Sequence, residues 1–93
     1  MRERQIEQRL IAEVRKRHGL CPKWVSPGLS GVPDRIILLP GGRVAFAELK
    51  APGKTFRTQQ RYRKAQLERL GFRVYVIDST EQIGGVLDEI SAS

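Results

Sequence analysis

The chain is poor in the residues that most often carry metal and nucleophilic chemistry. Its 93 residues include one cysteine, Cys21, and one histidine, His18. A single thiol excludes an internal disulfide framework and a cysteine-based zinc site. A single imidazole argues against histidine metal clusters and histidine-based catalysis, so both residues are read as structural. No apolar run approaches the roughly 20 residues of a membrane-spanning helix. The N-terminal segment is charged and lacks the apolar stretch of a signal peptide. The expected setting is soluble, intracellular and reducing. The length suits one small domain with a modest core, and a hydrophobic content of 40% is too high for a disordered chain.

Acids are scarce where bases are dense. The net charge is +7, and between Lys50 and Arg73 eight basic residues meet only Glu68. That segment alone accounts for the whole excess, whereas from Asp78 to Ser93 four acids meet no base. A concentrated basic face points to phosphate, in nucleic acid or an anionic membrane, and nucleic acid is the favoured partner. Lys23, Lys54, Arg57, Arg61, Arg63 and Lys64 are the candidate phosphate contacts.

Read in order, the chain has an α/β pattern. Residues 2–17 read as an amphipathic helix carrying Ile6, Leu10, Ile11 and Val14 at helical spacing, ended by Gly19 and Pro22. Lys23-Trp24-Val25 is a candidate short strand, with Trp24 read as core. Ser26 to Gly31 has loop composition. Ile36-Ile37-Leu38-Leu39 and Val44-Ala45-Phe46-Ala47 are strand-like, and Pro40-Gly41-Gly42 between them is turn chemistry, so they should form a hairpin. A second helix is expected from Thr58, as N-cap, to Leu70, with Gly71 as C-cap glycine and Tyr62, Leu67 and Leu70 on its apolar side. Residues 72–77 form the clearest strand, parallel to the second hairpin strand because a helix crosses over between them. A final helix is expected from Thr80 to Ile90, with Gly84-Gly85 weakening it.

The hairpin defines the candidate site. If the turn is centred on Gly41, Asp34 lies directly across from Glu48. Opposed residues share a face at about 4.5–5.5 Å between Cβ atoms, where like charges are destabilising. Two such carboxylates are explained by a divalent cation, since hard cations take carboxylate oxygens. Lys50, two residues beyond Glu48, shares that face. A metal held by Asp34 and Glu48 would polarise a phosphodiester and lower the pKa of bound water. The Leu49 carbonyl offers a further oxygen, and Lys50 can orient the water or stabilise developing charge. Glu7 lies within the apolar stripe of the first helix. It either supplies a third acid to the site, which is the working expectation, or pairs with an arginine at the core edge. Gln60, near the start of the second helix, either reaches the site or has no partner.

Asp34 followed by Glu48-Leu49-Lys50 on a hairpin resembles the PD-(D/E)XK nuclease superfamily. Gly31-Val32-Pro33-Asp34, Glu48-Leu49-Lys50 and Gln60 together resemble its VRR-NUC branch, and Leu67, Leu70, Gly71 and Val74-x-Val76 continue that pattern. The resemblance implies a restriction-endonuclease-like αβββαβ core, a small mixed sheet flanked by helices, formed as one domain over residues 1–93. It implies Mg²⁺ or Mn²⁺ as cofactor, held by Asp34, Glu48 and the Leu49 carbonyl, with Lys50 catalytic, Gln60 supporting and Glu7 as the first-helix glutamate. Stand-alone members are similar to Holliday-junction resolvases and tend to be homodimers. The expected activity is therefore a metal-dependent endonuclease acting on branched DNA such as a four-way junction, in the cytoplasm of a bacterial or phage-infected cell. The alternatives are a non-catalytic nucleic-acid-binding module on a nuclease fold and a flap or single-strand nuclease.

Overall fold

A computed structural model describes residues 2–93. The elements run α1 (Glu3–Lys16), β1 (Arg35–Leu39), β2 (Arg43–Leu49), α2 (Thr58–Arg69), β3 (Val74–Ile77), a 3-10 turn (Thr80–Gln82) and α3 (Ile83–Ser91). The sheet has three strands in the order β1-β2-β3, with β1 and β2 antiparallel and β2 and β3 parallel. No helix among the described residues is long and apolar enough to cross a membrane.

The two sheet faces follow from strand alternation. Ile37 and Leu39 of β1, Ala45, Ala47 and Leu49 of β2 and Ile77 of β3 pack against Ile6, Leu10 and Val14 of α1 and Ile83, Leu87 and Ile90 of α3. The opposite face is thinner. There Phe46, Val74 and Leu67 form a second cluster with Trp24 and Ile36 against it. The Trp24 and Phe46 rings lie 4.9 Å apart, so Trp24 is a packing residue. The result is a helix–sheet–helix sandwich with α2 alone on the second face.

The hairpin has the expected register, with Arg35 opposite Ala47, Ile37 opposite Ala45 and Leu39 opposite Arg43. Gly41 and Gly42 in its turn have φ of +88° and +73°, conformations open to glycine at little cost. The first of the expected strands is reduced to two isolated bridges, Leu20 with Leu38 and Lys23 with Arg35. Pro22 lies between them and has no N–H to give a ladder, although its carbonyl accepts from Ile36 N at 2.9 Å.

The helix ends differ in detail from expectation. In α1 it is His18, not Gly19, that takes the left-handed conformation, at φ +64°. Its N–H donates to the Arg15 carbonyl at 2.9 Å and that of Gly19 to Val14 at 3.0 Å, the paired bonds of a Schellman stop. Gly19 is required for space. A Cβ there would meet the Leu38 carbonyl oxygen at 2.4 Å and side-chain carbons of Leu39 and Val14 at 2.9 Å. At the end of α2, Gly71 has φ +97° and donates to Glu68, while Phe72 N donates to Leu67, as expected of a C-cap glycine. The N-cap of α2 is Arg57 rather than Thr58. Only Leu67 of the three expected apolar residues of α2 is buried, Tyr62 and Leu70 being exposed, and β3 begins at Val74. The last helix opens with the 3-10 turn and then runs through Gly84-Gly85, held by Ile83, Leu87 and Ile90.

Gly19→Ala should therefore cost about 1–3 kcal/mol, because the added methyl meets backbone that must move. Gly28→Ala, which meets nothing within 4 Å, should stay within about 0.5 kcal/mol of the parent. Thermal or urea unfolding of the two variants checks the contrast.

Candidate active site

The functional side chains gather where β2 runs past the end of β1. Phe46 and Glu48 project toward α2, while Leu49 projects into the α1–α3 core. Glu48 is 3% exposed, the one acid among the described buried residues. A carboxylate so placed needs partners. Gln60 Nε2 donates to Glu48 Oε2 at 2.6 Å, and Lys50 Nζ lies 3.3 Å from the same oxygen. Lys50 Nζ also donates to Gln60 Oε1 at 2.8 Å, and that oxygen accepts the Arg57 backbone N–H at 3.0 Å. A single amide thus caps α2 and joins Glu48 to Lys50. The Lys50 ammonium also sits 5.6 Å from the centre of the Phe56 ring.

Asp34 stands just before β1, half-buried, and its Oδ2 accepts the Leu49 backbone N–H at 2.7 Å. This is the expected closeness to the Glu48-Leu49-Lys50 strand end. Extending the hairpin register places the buried Pro33 across from Leu49. Proline brings no N–H, so the Leu49 carbonyl meets no ladder donor from that strand. The motif Pro33-Asp34 thereby occupies the Leu49 N–H with a side chain and leaves the Leu49 carbonyl open. Two carboxylates and a carbonyl with no ladder donor opposite it make an all-oxygen set that could hold a hard divalent cation, whose remaining positions would take water.

The electrostatics follow from burial. Desolvation pushes the Glu48 carboxyl up to about 7, with the negative charge of Asp34 adding to it and the Lys50 ammonium opposing it. Desolvation also raises Asp34, against the Leu49 N–H bond and the Lys50 charge. Two acids that resist ionisation beside one another are poised for a cation that would relieve both. The Cys21 thiol is pushed up to about 11 by burial, in keeping with a structural role.

Two of the expected site residues have partners of their own in the structure. Glu7 pairs with an arginine at the core edge, Arg35 Nε donating to its Oε2 at 3.0 Å. Arg35 also holds the Cys21 carbonyl at 2.8 Å. The acid on the buried stripe of α1 is thus paired, although its charge still adds to the rise of Asp34, and the described residues contain no cluster of three acids, cysteines or histidines that could hold a metal. Arg63, expected among the phosphate contacts, is 9% exposed and turned inward. Lys64 is tied to Glu68 at 2.9 Å. Lys23, Lys54, Arg57 and Arg61 are exposed, and none forms an ion pair with an acid among the described residues. Pro33, Arg35 and Phe56 were not anticipated as site residues. Of these, only Pro33 had a sequence signal, its place before Asp34.

No protein-family model matches the chain. It is 47% identical over 81 residues to "Putative nuclease p44" of Acyrthosiphon pisum secondary endosymbiont phage 1, an alignment covering 87% of each protein. A solved structure named "VRR_NUC domain" superposes with a TM-score of 0.85 at 24% identity, over 92% of this chain and 94% of that one. The hairpin brings Asp34, Glu48 and Lys50 together at one end of a small mixed sheet. The chain belongs to the family of that phage protein, and its fold is that of a VRR-NUC domain.

A pH dependence follows from Glu48. Its raised pKa means the fold favours the protonated form. That contribution is fully present below about pH 4.5 and is lost as pH rises through about 7. Metal-free Glu48→Gln, which carries no charge to desolvate, should gain on the parent by about 3 kcal/mol between pH 4.5 and pH 8. Melting temperatures of both proteins in EDTA across that range check this; parallel curves would refute it.

Proposed function

We propose that this VRR-NUC nuclease is a metal-dependent endonuclease that hydrolyses phosphodiester bonds in DNA, with branched DNA such as a four-way junction as its substrate. The observation that carries the reading is the joining of Glu48, Lys50 and Gln60 within 3.3 Å at the strand end where Asp34 caps the Leu49 N–H. Asp34, Glu48 and the Leu49 carbonyl would hold Mg²⁺ or Mn²⁺, which when bound supplies Lewis acidity and a more acidic water. Lys50 delivers a positive charge beside the reacting phosphate and orients a water through its free N–H. Gln60 keeps Lys50 and Glu48 in fixed relation, so no reorganisation is needed when substrate arrives. The exposed Lys23, Lys54, Arg57 and Arg61 hold the polymer through its phosphates without reading sequence.

Branched DNA is favoured because the exposed bases beside the site would meet phosphates, which carry no base sequence, so that recognition would rest on the shape of the DNA. A homodimer fits the same substrate, since symmetric cuts on two strands need two sites and each chain supplies one. The phage relative fits a cytoplasmic setting in a bacterial or phage-infected cell.

Asp34→Ala and Lys50→Ala should each lower cleavage by at least about 100-fold while DNA binding stays within a few-fold. EDTA should abolish cleavage, and Mg²⁺ or Mn²⁺ should restore it. The measurement is a cleavage panel of four-way junction, flap, splayed arm, duplex and single strand, with binding read by anisotropy. Binding without any metal-dependent product would favour the non-catalytic module. Product from flap or single strand but not junction would replace the resolvase reading.

Pro33→Ala restores an N–H opposite the Leu49 carbonyl. It should weaken Mn²⁺ binding several-fold by calorimetry with little change in melting temperature, and equal affinity would refute the part assigned to that carbonyl.

A further inference from the structure

Arg63 is the one base among the described buried residues. It forms no ion pair with an acid among them. Burying a guanidinium without a counter-ion is costly unless its donors are filled and something is gained by filling them. Its Nε–H donates to the Ser30 backbone carbonyl at 3.0 Å. Its Nη1 donates to Gln66 Oε1, and the guanidinium lies 5.5 Å from the centre of the Tyr62 ring.

The partner that matters is Ser30. It belongs to the loop that reaches Asp34 four residues later, and the loop touches α2 at two more points. Ser30 Oγ donates to Gln59 Oε1 at 2.5 Å. Gly31, at φ +74°, lies so close that a Cβ would meet the Gln59 carbonyl oxygen at 2.4 Å. Residues 59, 63 and 66 share one stripe of α2 by helical spacing, and Gln60, one position round the helix from Gln59, faces Glu48 and Lys50. One helix therefore grips both halves of the site, the strand end through Gln60 and the loop of Asp34 through Gln59 and Arg63.

We propose that Arg63 is a positioning residue, a clamp that fixes Asp34 relative to Glu48 by locking the Ser30-Gly31 loop onto α2, and that it does not bind phosphate. The inference rests on the nuclease reading of the Asp34–Glu48–Lys50 site. A lysine keeps the charge of Arg63 but loses the planar fork that spans Ser30 and Gln66. The clamp thus predicts that lysine fails to substitute, whereas a phosphate contact predicts that it succeeds.

The test compares the parent, Arg63→Lys, Arg63→Gln, Gln66→Ala and Arg61→Ala as intact chains. Mn²⁺ binding without DNA is measured by calorimetry, amide exchange of residues 30–34 by mass spectrometry, DNA binding in EDTA by anisotropy across salt, and single-turnover cleavage with Mn²⁺. Arg63→Lys should weaken Mn²⁺ binding several-fold, accelerate exchange of the loop amides and slow cleavage by about 10- to 100-fold. Its DNA affinity should stay within about twofold. Arg63→Gln should leave the slope of log affinity against log salt unchanged, whereas Arg61→Ala should reduce it by about one. Gln66→Ala, which frees one arm of the clamp and spares the packing, should shift exchange and Mn²⁺ affinity in the same direction by less, and it decides the matter if the Arg63 variants do not fold. Parent-like Mn²⁺ binding and loop exchange in Arg63→Lys, or a salt slope lowered in Arg63→Gln as in Arg61→Ala, would overturn the proposal. Absence of metal-dependent cleavage in the parent would remove the nuclease reading instead, with exchange and Mn²⁺ binding still testing the clamp.

Discussion

The site depends on the cost of burying the Glu48 carboxylate. At 3% exposure it has lost its water, and protein groups must replace that water. Two do so, the Gln60 amide and the Lys50 ammonium, and they bond each other as well. Each of the three comes from a position fixed by something else. Glu48 and Lys50 are set two apart on β2, and Gln60 is set by the start of α2, whose N-cap N–H it also accepts. Helix start, strand end and acid are thus one polar unit, satisfied as a whole. Among the described residues no buried side-chain polar atom lacks a partner.

Asp34 is the element this unit does not hold. It lies outside the strand, fastened by its own bond to Leu49 N and by the loop before it. The separation of the two carboxylates therefore depends on how firmly that loop is seated. This explains why the connection, though exposed at Ser30, is hydrogen-bonded to α2 there and lies close against it at Gly31. It also gives Pro33 a role beyond shaping a turn. The proline removes the donor that would otherwise close the β1–β2 ladder over the Leu49 carbonyl, so the ladder ends beside Glu48 and Asp34.

Much of this was legible in the sequence, for reasons that can be stated. The hairpin register was readable because a Pro-Gly-Gly turn leaves few ways to close and strand alternation then fixes every face. Glu48, Lys50 and the place of Asp34 follow from that register alone. Gln60 required the helix start to be right within a residue, and the cap fell at Arg57 rather than Thr58 because the Gln60 side chain itself supplies the cap acceptor. Arg63 was not legible and Glu7 was left between two readings, for one shared reason. Helical periodicity says which residues share a stripe but not what lies opposite. Glu7 met Arg35, whose position came from the hairpin, and Arg63 met a loop carbonyl that no pattern of side chains encodes.

The inward turn of Arg63 changes how the basic segment should be understood. Its eight bases look like one phosphate-binding face when counted along the chain. In the fold they divide by environment. Lys50 belongs to the acid site, Arg63 to the seam between loop and helix, and Lys64 to a pair with Glu68. Arg73 pairs with Glu89. Lys54, Arg57 and Arg61 remain exposed around the start of α2, the same helical end that bears Gln60, and Arg69 is exposed at the other end. Three of the four exposed bases of this segment that pair with no acid among the described residues thus lie near the carboxylate pair. On the proposed reading, a phosphate drawn to that end by long-range attraction would arrive within reach of Lys50, so that capture and chemistry would share one helix terminus.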